Sequence, residues 1–306
     1  MTNVGLEQTL TTNFPSIKAL LIQDLRDPLY VYEAEPNAAR ALRRVASIAK
    51  SFTALLVGRA IQDGLLKSPD KVLLSQFPNL VTGDVTELRT TTLTHLLTMT
   101  SGLLWDENNL DTWYRSPEHK FPMRFATAPK ARGAFSYNTA ASHLAGAILS
   151  EIVGRSLDSY AQETLLTPLG IEEVAWTKDP QGFCFGGHAL RLRPIDCAKL
   201  GTLLLSNGTH GNMQLLPSFW PRECSTPRVF ANWPFESQYG YSWWNTSWGY
   251  MAFGYGGQIL AVNPTANRTM VISSEMDQLH DEYLAALVDP LMRQEGPPSL
   301  FETSLP

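Results

Sequence analysis

Charge, cysteine and long apolar runs are all scarce in this chain of 306 residues. Charged residues make up 17% of it and the formal net charge is −5, so the charge balance does not predict binding to nucleic acid or to an anionic membrane. No apolar run reaches the roughly 20 residues of a membrane-spanning helix, because Arg59 interrupts the best candidate. With 44% hydrophobic residues, the chain has enough apolar material for a folded core.

The sequence also has no pattern typical of a metal site, a disulfide framework or a secretory signal. Cys184, Cys197 and Cys224 are odd in number and lack a Cys-x-x-Cys spacing, which predicts reduced thiols. The six histidines show no His-Glu-x-x-His pattern, so we expect no metal and no cofactor, and His95 and His188 are predicted to be structural. The N-terminus resembles no secretory signal, which predicts a cytoplasmic location unless the chain is a mature form.

Hydrophobic periodicity predicts strands at both ends of the chain and helices between them. Strands are expected at 17–22, 29–34, 239–244, 249–253, 258–262 and 268–273, and helices at 47–63, 94–99, 139–153, 156–166, 195–206 and 277–292. We therefore predict an α/β (α+β) fold in which residues 1–80 and 184–306 form an antiparallel sheet flanked by helices. Residues 81–183 form an inserted all-helical domain, and the cleft at the junction is the expected ligand site.

The helical run that begins near Ser47 holds the first chemical candidates. Ser47 and Lys50 are three residues apart, a spacing that places two side chains on one face of a helix. Serine is a poor nucleophile until a neighbouring group takes its proton, and an adjacent lysine can take it or tune the group that does. The partial positive charge of a helix N-terminus also helps to hold developing negative charge.

Ser-x-x-Lys is a short pattern, however, and spacing alone favours a structural serine. A second copy runs from Ser68 to Lys71, where Pro69 suits the first helical position and Ser68 suits its cap. We interpret this copy as a helix start without chemistry. Ser47 differs because its helix carries an apolar stripe and because further candidates follow downstream.

Tyr137 is the second candidate and precedes a predicted helix. A tyrosine hydroxyl has a pKa near 10, so alone it is a poor base at neutral pH. Beside a lysine ammonium its phenolate would be favoured and could take a proton from serine. The structural alternative is a half-buried ring that packs at the domain junction.

A glycine-rich segment at residues 254–258 is the third candidate. Glycines let the backbone approach a substrate closely, and an edge strand offers N–H donors to an oxyanion. An ordinary turn between two strands explains the same residues.

In order and spacing, these segments resemble the beta-lactamase-related serine hydrolases: class C beta-lactamases, D-alanyl-D-alanine carboxypeptidases, family VIII esterases and 6-aminohexanoate-dimer hydrolases. The resemblance extends over residues 16–273, and the segments that carry it are 47–50, 94–102, 135–138, 168–171, 193–201, 239–244 and 254–258. It implies a beta-lactamase/transpeptidase-like fold. It also implies that Ser47 forms an acyl-enzyme, that Lys50 shares protons with it, and that Tyr137 acts as general base and then acid. The backbone N–H groups of Ser47 and Gln258 are the expected oxyanion hole.

Two departures from the family pattern bear on the substrate. Beta-lactamases and DD-peptidases of this group usually carry Lys-Thr-Gly or His-x-Gly where this chain has the uncharged Tyr255-Gly256-Gly257. The missing cation disfavours penicillins and peptidoglycan stems as substrates, unless another Arg or Lys replaces it. The usual Tyr-x-Asn is replaced by a tyrosine followed directly by Asn138 and Thr139, as in the esterase and nylon-oligomer branch.

The pattern leaves two roles open for these last residues: Thr139 contacts the substrate, or Asn138 bonds Lys50. Tryptophans are the expected lining of an acyl pocket, and Trp243 and Trp244 alternate faces, so at most one of them points inward. Trp113 is a further candidate. The predicted substrate-binding set is Asn138, Thr139, Trp105, Tyr255, Gly256, Gly257 and Trp244.

The sequence thus predicts a serine hydrolase that cleaves carboxylic esters or small amides through acyl-Ser47. The expected partner is a small-molecule ester, amide or peptide, and the sequence does not indicate an oligomeric state. The alternatives are a D-alanyl-D-alanine carboxypeptidase, a D-amino-acid peptidase or a beta-lactamase of the same group, and a catalytically silent relative used for binding.

Overall fold

The computed structural model describes residues 3–80, 90–107, 133–231, 237–277 and 281–294. Its α-helices are α1 (Asn3–Asn13), α2 (Ile48–Gln62), α3 (Leu93–Leu97), α4 (Thr139–Val153), α5 (Leu157–Ala161), α6 (Pro194–Leu205), α7 (Trp220–Ser225) and α8 (Asp281–Arg293). A π turn at Gln162–Leu166 continues α5. None of these helices is long and apolar enough to cross a membrane.

The strands of the described residues form three antiparallel sheets. They are β1 (Ile17–Gln23), β2 (Pro28–Glu33), β3 (Arg43–Arg44), β4 (Ala175–Trp176), β5 (Leu190–Leu192), β6 (Thr209–His210), β7 (Met213–Gln214), β8 (Val229–Ala231), β9 (Ser237–Tyr239), β10 (Trp244–Asn245), β11 (Tyr250–Gly254), β12 (Gln258–Asn263) and β13 (Arg268–Ser274). The main sheet has the order β2-β1-β13-β12-β11-β10-β9-β8. A small sheet has the strand order β3-β5-β4, and β6 and β7 form a hairpin.

The main sheet joins the two ends of the chain, because β1 pairs with the last strand, β13. The register places Leu20 opposite Ile272 and Ile22 opposite Met270. The intervening residues leave the sheet after β2 and return to it at β8. The mixed helix and sheet architecture predicted from the sequence is confirmed.

Helices cover the central strands on both faces. Leu260 and Val262 face a core that includes residues of α2, α4 and α6. Ile259 and Ala261 face a second core, to which α1 and α8 contribute. Successive side chains of a strand point to opposite faces, so a strand covered on both faces is buried along its whole length. This explains why all six residues of β12 are buried.

The first of these cores is continuous across the predicted domain boundary. It joins Phe52 and Leu56 of α2 to Leu144 and Ile148 of α4. The division into residues 1–80 with 184–306 and residues 81–183 therefore stays a prediction. The described part of the middle segment contributes α3, α4, α5 and also the short strand β4, which was not expected there.

Most predicted elements agree with the structure to within a few residues. α4 covers 139–153 as predicted, and Gly154 ends it with a φ of 68°. The second Ser-x-x-Lys copy starts a 3₁₀ helix (Pro69–Lys71), and the Ser68 hydroxyl accepts a bond from the Asp70 N–H. The structural interpretation of that copy is confirmed.

Other predictions were wrong or incomplete. The strand expected at 239–244 is divided into β9 and β10 by a turn in which Ser242 has a φ of 62°. The N-terminal helix α1 and the strand β8 were not predicted. Trp113, predicted as a further pocket residue, lies outside the described residues.

A close contact between α2 and α7 holds the helix that follows Ser47 in place. The Trp220 indole lies against Gly58, where an added Cβ would be 2.1 Å from the ring atom Cδ1. The indole N–H donates to the Ala54 carbonyl at 3.0 Å, one turn earlier. Trp220 is 1% exposed, so the ring has little room to move.

We expect Gly58→Ala to destabilise the protein by about 1–3 kcal/mol, although alanine is the better helix former, because the methyl group would overpack a buried ring. Urea denaturation measures the change. Gln62→Ala, at an exposed position near the end of the same helix, is the control and should be close to neutral. A Gly58→Ala protein as stable as the wild type would contradict the packing described.

Candidate active site

Ser47 lies at the junction between β3 and α2. Ala46 has a φ of 48°, in the left-handed region that non-glycine residues rarely adopt, and it turns the chain from the strand into the helix. Ser47 occupies the N-cap position, but its side chain makes no capping bond. Its hydroxyl is therefore directed to other groups rather than to the helix backbone.

The Ser47 hydroxyl is hydrogen-bonded to Lys50. The Lys50 Nζ donates to the Ser47 Oγ at 2.9 Å and to the Gly187 carbonyl at 2.9 Å. The side chain is almost completely buried, with 2% exposure. Burial disfavours the ammonium form and lowers the pKa of Lys50 to about 8, against a smaller opposing effect of the Glu107 carboxylate.

Tyr137 contacts the same hydroxyl from another segment. Its phenol hydrogen-bonds Ser47, and the Lys50 Nζ lies 4.8 Å from the centre of its ring. The ring stacks on Trp244, with centroids 6.1 Å apart and planes 16° apart. The three residues that the sequence singled out thus form one contact group.

The charge state of Tyr137 differs from the sequence-based expectation. Burial raises the pKa of the phenol well above its usual value, the Ser47 hydrogen bond lowers it less, and the Glu107 carboxylate raises it further. The phenol is therefore neutral at neutral pH. Desolvation outweighs the attraction of a nearby ammonium, because the phenolate would be a buried anion.

Sequence reasoning missed Glu107. Its two carboxylate oxygens accept from the backbone N–H and from the hydroxyl of Thr139, at 2.6 and 2.7 Å. These bonds join the segment after α3 to the start of α4, two residues beyond Tyr137. A single carboxylate in a loop has no spacing that would have predicted this position.

The glycine-rich segment approaches Ser47 through its first residue. The register pairs Gly254 of β11 with Gln258 of β12, so Tyr255, Gly256 and Gly257 form the hairpin turn. A Cβ added at Gly254 would lie 2.6 Å from the Val45 carbonyl oxygen and 3.0 Å from the Ser47 backbone nitrogen. The strand β11, not β12, therefore lies against Ser47.

Gln258 is thus one strand farther from Ser47 than expected. Its side chain is 2% exposed and donates to the carbonyls of Gly256 and Ser274. The sequence placed the oxyanion donor on the strand that follows the glycines, because a hairpin does not show in sequence which of its two strands faces the site. In the structure, the end of β11 is the part of the hairpin that lies beside Ser47.

A family model described as "Beta-lactamase" matches residues 24–288. The chain belongs to the beta-lactamase family. In sequence alone, no curated protein matches it.

Solved structures of this family share the fold at low identity. A protein described as a 6-aminohexanoate-dimer hydrolase from Bacillus anthracis is 20% identical, with a TM-score of 0.78, over 95% of this chain and 82% of that one. An octameric penicillin-binding protein homologue from Pyrococcus abyssi is 18% identical, with a TM-score of 0.76, over 98% and 79%. A class C beta-lactamase from Rhodobacter sphaeroides is 15% identical, with a TM-score of 0.70, over 96% and 99%.

The side chains of Asn138 and Thr139 form hydrogen bonds with other residues of the protein. The Asn138 amide donates to the Leu103 carbonyl at 2.9 Å and accepts from the Ala141 N–H at 2.8 Å, which caps α4. Thr139 is bonded to Glu107, as described above. The Asn138 side chain thus bonds the backbone and not Lys50, whereas contact of Thr139 with a substrate stays a prediction; both residues are 2% exposed.

The predicted aromatic lining divides between core and surface. Trp244 is buried against Tyr137, whereas Trp243 packs on Tyr250 in the other core, as the alternation of faces required. Trp105 is partly buried. Tyr255 is 50% exposed, and its hydroxyl donates to the Asp277 carbonyl at 2.7 Å.

The surroundings of His95 and His188 fit the structural role that the sequence predicts for them. His95 Nδ1 accepts from the Thr92 N–H at 3.0 Å, at the start of α3. Burial and the nearby Lys50 charge lower the pKa of His188 to about 2, so it is neutral. The described residues contain no group of His, Cys, Asp or Glu side chains that could hold a metal ion.

We expect reaction of Ser47 with a fluorophosphonate to follow the deprotonation of Lys50. The rate should rise about tenfold per pH unit below pH 8 and level off above it, because the neutral amine can accept the serine proton. The Glu107 charge raises the pKa of Lys50, so Glu107→Gln should move the rise to lower pH. Labelling rates from pH 5.5 to 9.5 measure this.

Glu163→Gln, at an exposed glutamate on the Gln162–Leu166 turn, is the matched control and should leave the profile in place. A shift to higher pH in Glu107→Gln, or no shift, would contradict the electrostatic role of Glu107.

Proposed function

We propose that this protein is a serine hydrolase that cleaves carboxylic esters or small amides through an acyl-enzyme on Ser47. The observation that carries the proposal is the contact of two groups, an amine and a phenol, with the Ser47 hydroxyl. The Lys50 amine lies 2.9 Å from the Ser47 Oγ, and the Tyr137 phenol hydrogen-bonds the same oxygen. Membership of the beta-lactamase family supports it.

In the proposed mechanism, the Ser47 Oγ attacks the substrate carbonyl carbon and its proton passes to the neutral Lys50 amine. With a pKa of about 8, about one-tenth of Lys50 is neutral at pH 7. The tetrahedral intermediate then loses its alcohol or amine, which takes a proton from the Tyr137 phenol, and the Lys50 ammonium reprotonates the phenolate. Water repeats these steps on the acyl-enzyme, releases the acid and restores the serine.

Two backbone N–H groups are proposed to hold the oxyanion. The N–H of Ser47 belongs to the first turn of α2, where helices leave their donors without intrahelical partners. The second donor is assigned to the N–H of Tyr255, the first beyond the last β11–β12 pair, in place of Gln258. Contact of Gly254 with the Ser47 nitrogen supports this assignment.

Esters and small amides are favoured because the hairpin turn that faces the site has no charge of its own. A specific contact keeps carboxylate-bearing substrates, such as D-peptides or beta-lactams, as the second candidate. The Arg44 guanidinium lies 5.8 Å from the centre of the Tyr255 ring. A cation at this position would pair with a substrate carboxylate.

Ser47→Ala should abolish both turnover of p-nitrophenyl butyrate and labelling by a fluorophosphonate, because both need the serine oxygen as nucleophile. The matched control is Ser68→Ala, in the second Ser-x-x-Lys copy, which loses only a capping bond and should keep full activity. Lys50→Ala and Tyr137→Phe should be strongly non-additive with each other, since both act on one hydroxyl. Wild-type rates in Ser47→Ala would refute the proposal.

A panel of esters, small amides, D-alanyl-D-alanine peptides and nitrocefin separates the two candidate substrate classes. We expect the protein to turn over esters. We also expect the ester turnover rate of Arg44→Ala to stay within about twofold of the wild-type rate. Preferential turnover of carboxylate-bearing members, lost in Arg44→Ala, would instead establish the second candidate.

Gly254→Ala should lower kcat by about 10²-fold, because the methyl group would push the end of β11 away from Ser47 and remove one oxyanion donor. Ester hydrolysis measures this, and Gly58→Ala is the control, since its added methyl group overpacks Trp220 about three turns along α2 and should lower stability but not kcat. A fully active Gly254→Ala protein would contradict the β11 assignment.

A further inference from the structure

We propose that the buried pair His143 and Asp179 positions Lys50, by holding the backbone of Gly186 and Gly187 in the place where it accepts the Lys50 bond. This inference rests on the proposed function for its effect on catalysis, but its effect on Lys50 is measurable without any turnover. Neither His143 nor Asp179 is assigned a contact with Ser47, so the pair acts through the backbone between them.

The pair is a side-chain contact between α4 and the segment that follows β4. His143 Nε2 lies 3.0 Å from Asp179 Oδ2, and the two residues are 0% and 8% exposed. The other oxygen, Oδ1, accepts from the N–H groups of Gln181 and Phe183 at 2.8 and 2.9 Å. Asp179 thus orders the turn through which the chain approaches Gly186.

Burial would raise the pKa of Asp179, but the bonds from His143 and from the backbone keep this pKa below its usual value. Burial lowers the pKa of His143, against the opposing effect of the Asp179 carboxylate. Because both side chains are buried, loss of either partner leaves a polar atom of the other without this hydrogen bond in an apolar core.

The other side of the His143 ring contacts the backbone of the following residues. Its Nδ1 is the acceptor for the Gly186 N–H at 3.4 Å. Phe185 packs between His143 and His188, with ring centroids 4.8 Å apart in both contacts. One imidazole therefore connects the Asp179 turn to the chain that passes Lys50.

The backbone of Gly186 and Gly187 connects this part of the chain to α2 and to Lys50. The Gly186 carbonyl accepts from the Thr53 hydroxyl of α2 at 2.8 Å, and the Gly187 carbonyl accepts from the Lys50 Nζ at 2.9 Å. The backbone is pressed against α4: a Cβ at Gly186 would lie 2.5 Å from the Ser142 carbonyl oxygen, and one at Gly187 would lie 2.9 Å from that of Thr139.

This arrangement leaves Lys50 dependent on the Gly187 carbonyl. A buried ammonium needs acceptors, and a displaced carbonyl would remove one of the two that hold it. The ammonium form would then be less favoured and the amine less well aligned with Ser47. The titratable groups that face Lys50 among the described residues are Glu107, Tyr137 and His188, and all three are retained in a variant of Asp179.

Asp179→Asn tests the inference, and His143→Asn provides an independent second variant should the first fail to fold. We expect the pKa of Lys50 to fall in each, read from the titration of ¹³Cε-lysine by NMR with Lys50 assigned through Lys50→Arg. We also expect kcat for p-nitrophenyl butyrate to fall about 10- to 100-fold with KM unchanged, because the amine is displaced rather than the substrate site. The pH at which labelling rises should move down in parallel.

Val288→Ala is the control for general destabilisation, since it truncates a buried side chain of α8 in the other core. It should lower Tm but leave the Lys50 titration and the kcat profile in place. An unchanged Lys50 titration in folded Asp179→Asn or His143→Asn, with activity loss that only tracks Tm, would overturn the inference. A wild-type protein that no fluorophosphonate labels would instead contradict the proposed function, while the Lys50 titration would still decide the positioning role.

Discussion

The structure around the candidate site depends on the burial of one lysine. Lys50 is 2% exposed, and its Nζ is held by the Ser47 hydroxyl and by the Gly187 carbonyl. A charged amine in an apolar interior is costly unless acceptors surround it, so the chain has to bring distant segments to this atom. Ser47 is three residues away, Tyr137 comes from the middle of the chain, and Gly187 precedes β5.

The main sheet and its helices supply the rigidity that this convergence needs. The sheet pairs β1 with β13, so both ends of the chain support the same layer, and α2 packs against it and against α4. The Trp220 ring fits against Gly58, and Gly254 brings the end of β11 to the Ser47 nitrogen. Close approach at these points requires residues without a side chain, and a larger residue would separate the elements.

Electrostatics then divides the proposed chemistry between Lys50 and Tyr137. Burial acts on both groups in the direction of the neutral form, so it lowers the pKa of the amine and raises the pKa of the phenol. The two shifts make Lys50 the better proton acceptor near neutral pH and leave Tyr137 as a proton donor. Glu107 opposes the first shift and adds to the second, which makes this carboxylate a natural point of control over the site.

The sequence alone determined the local parts of this picture. The meeting of Ser47 with Lys50 follows from a helical spacing of three, the bounds of α4 follow from its periodicity and from Gly154, and the opposite faces of Trp243 and Trp244 follow from strand alternation. Each depends only on neighbours along the chain. Local reasoning left Tyr137 as a candidate with a packing ring as the alternative, and the family resemblance is what joined it to Ser47.

Only the tertiary structure decided which hairpin strand faces Ser47, where Glu107 lies, and how His143 and Asp179 meet beneath Gly186. It also showed that residues 239–244 turn instead of continuing as one strand. These features depend on contacts between segments far apart in sequence, and on the desolvation that results from packing them. Neither quantity is set by the spacing of residue types, so both had to come from the folded chain.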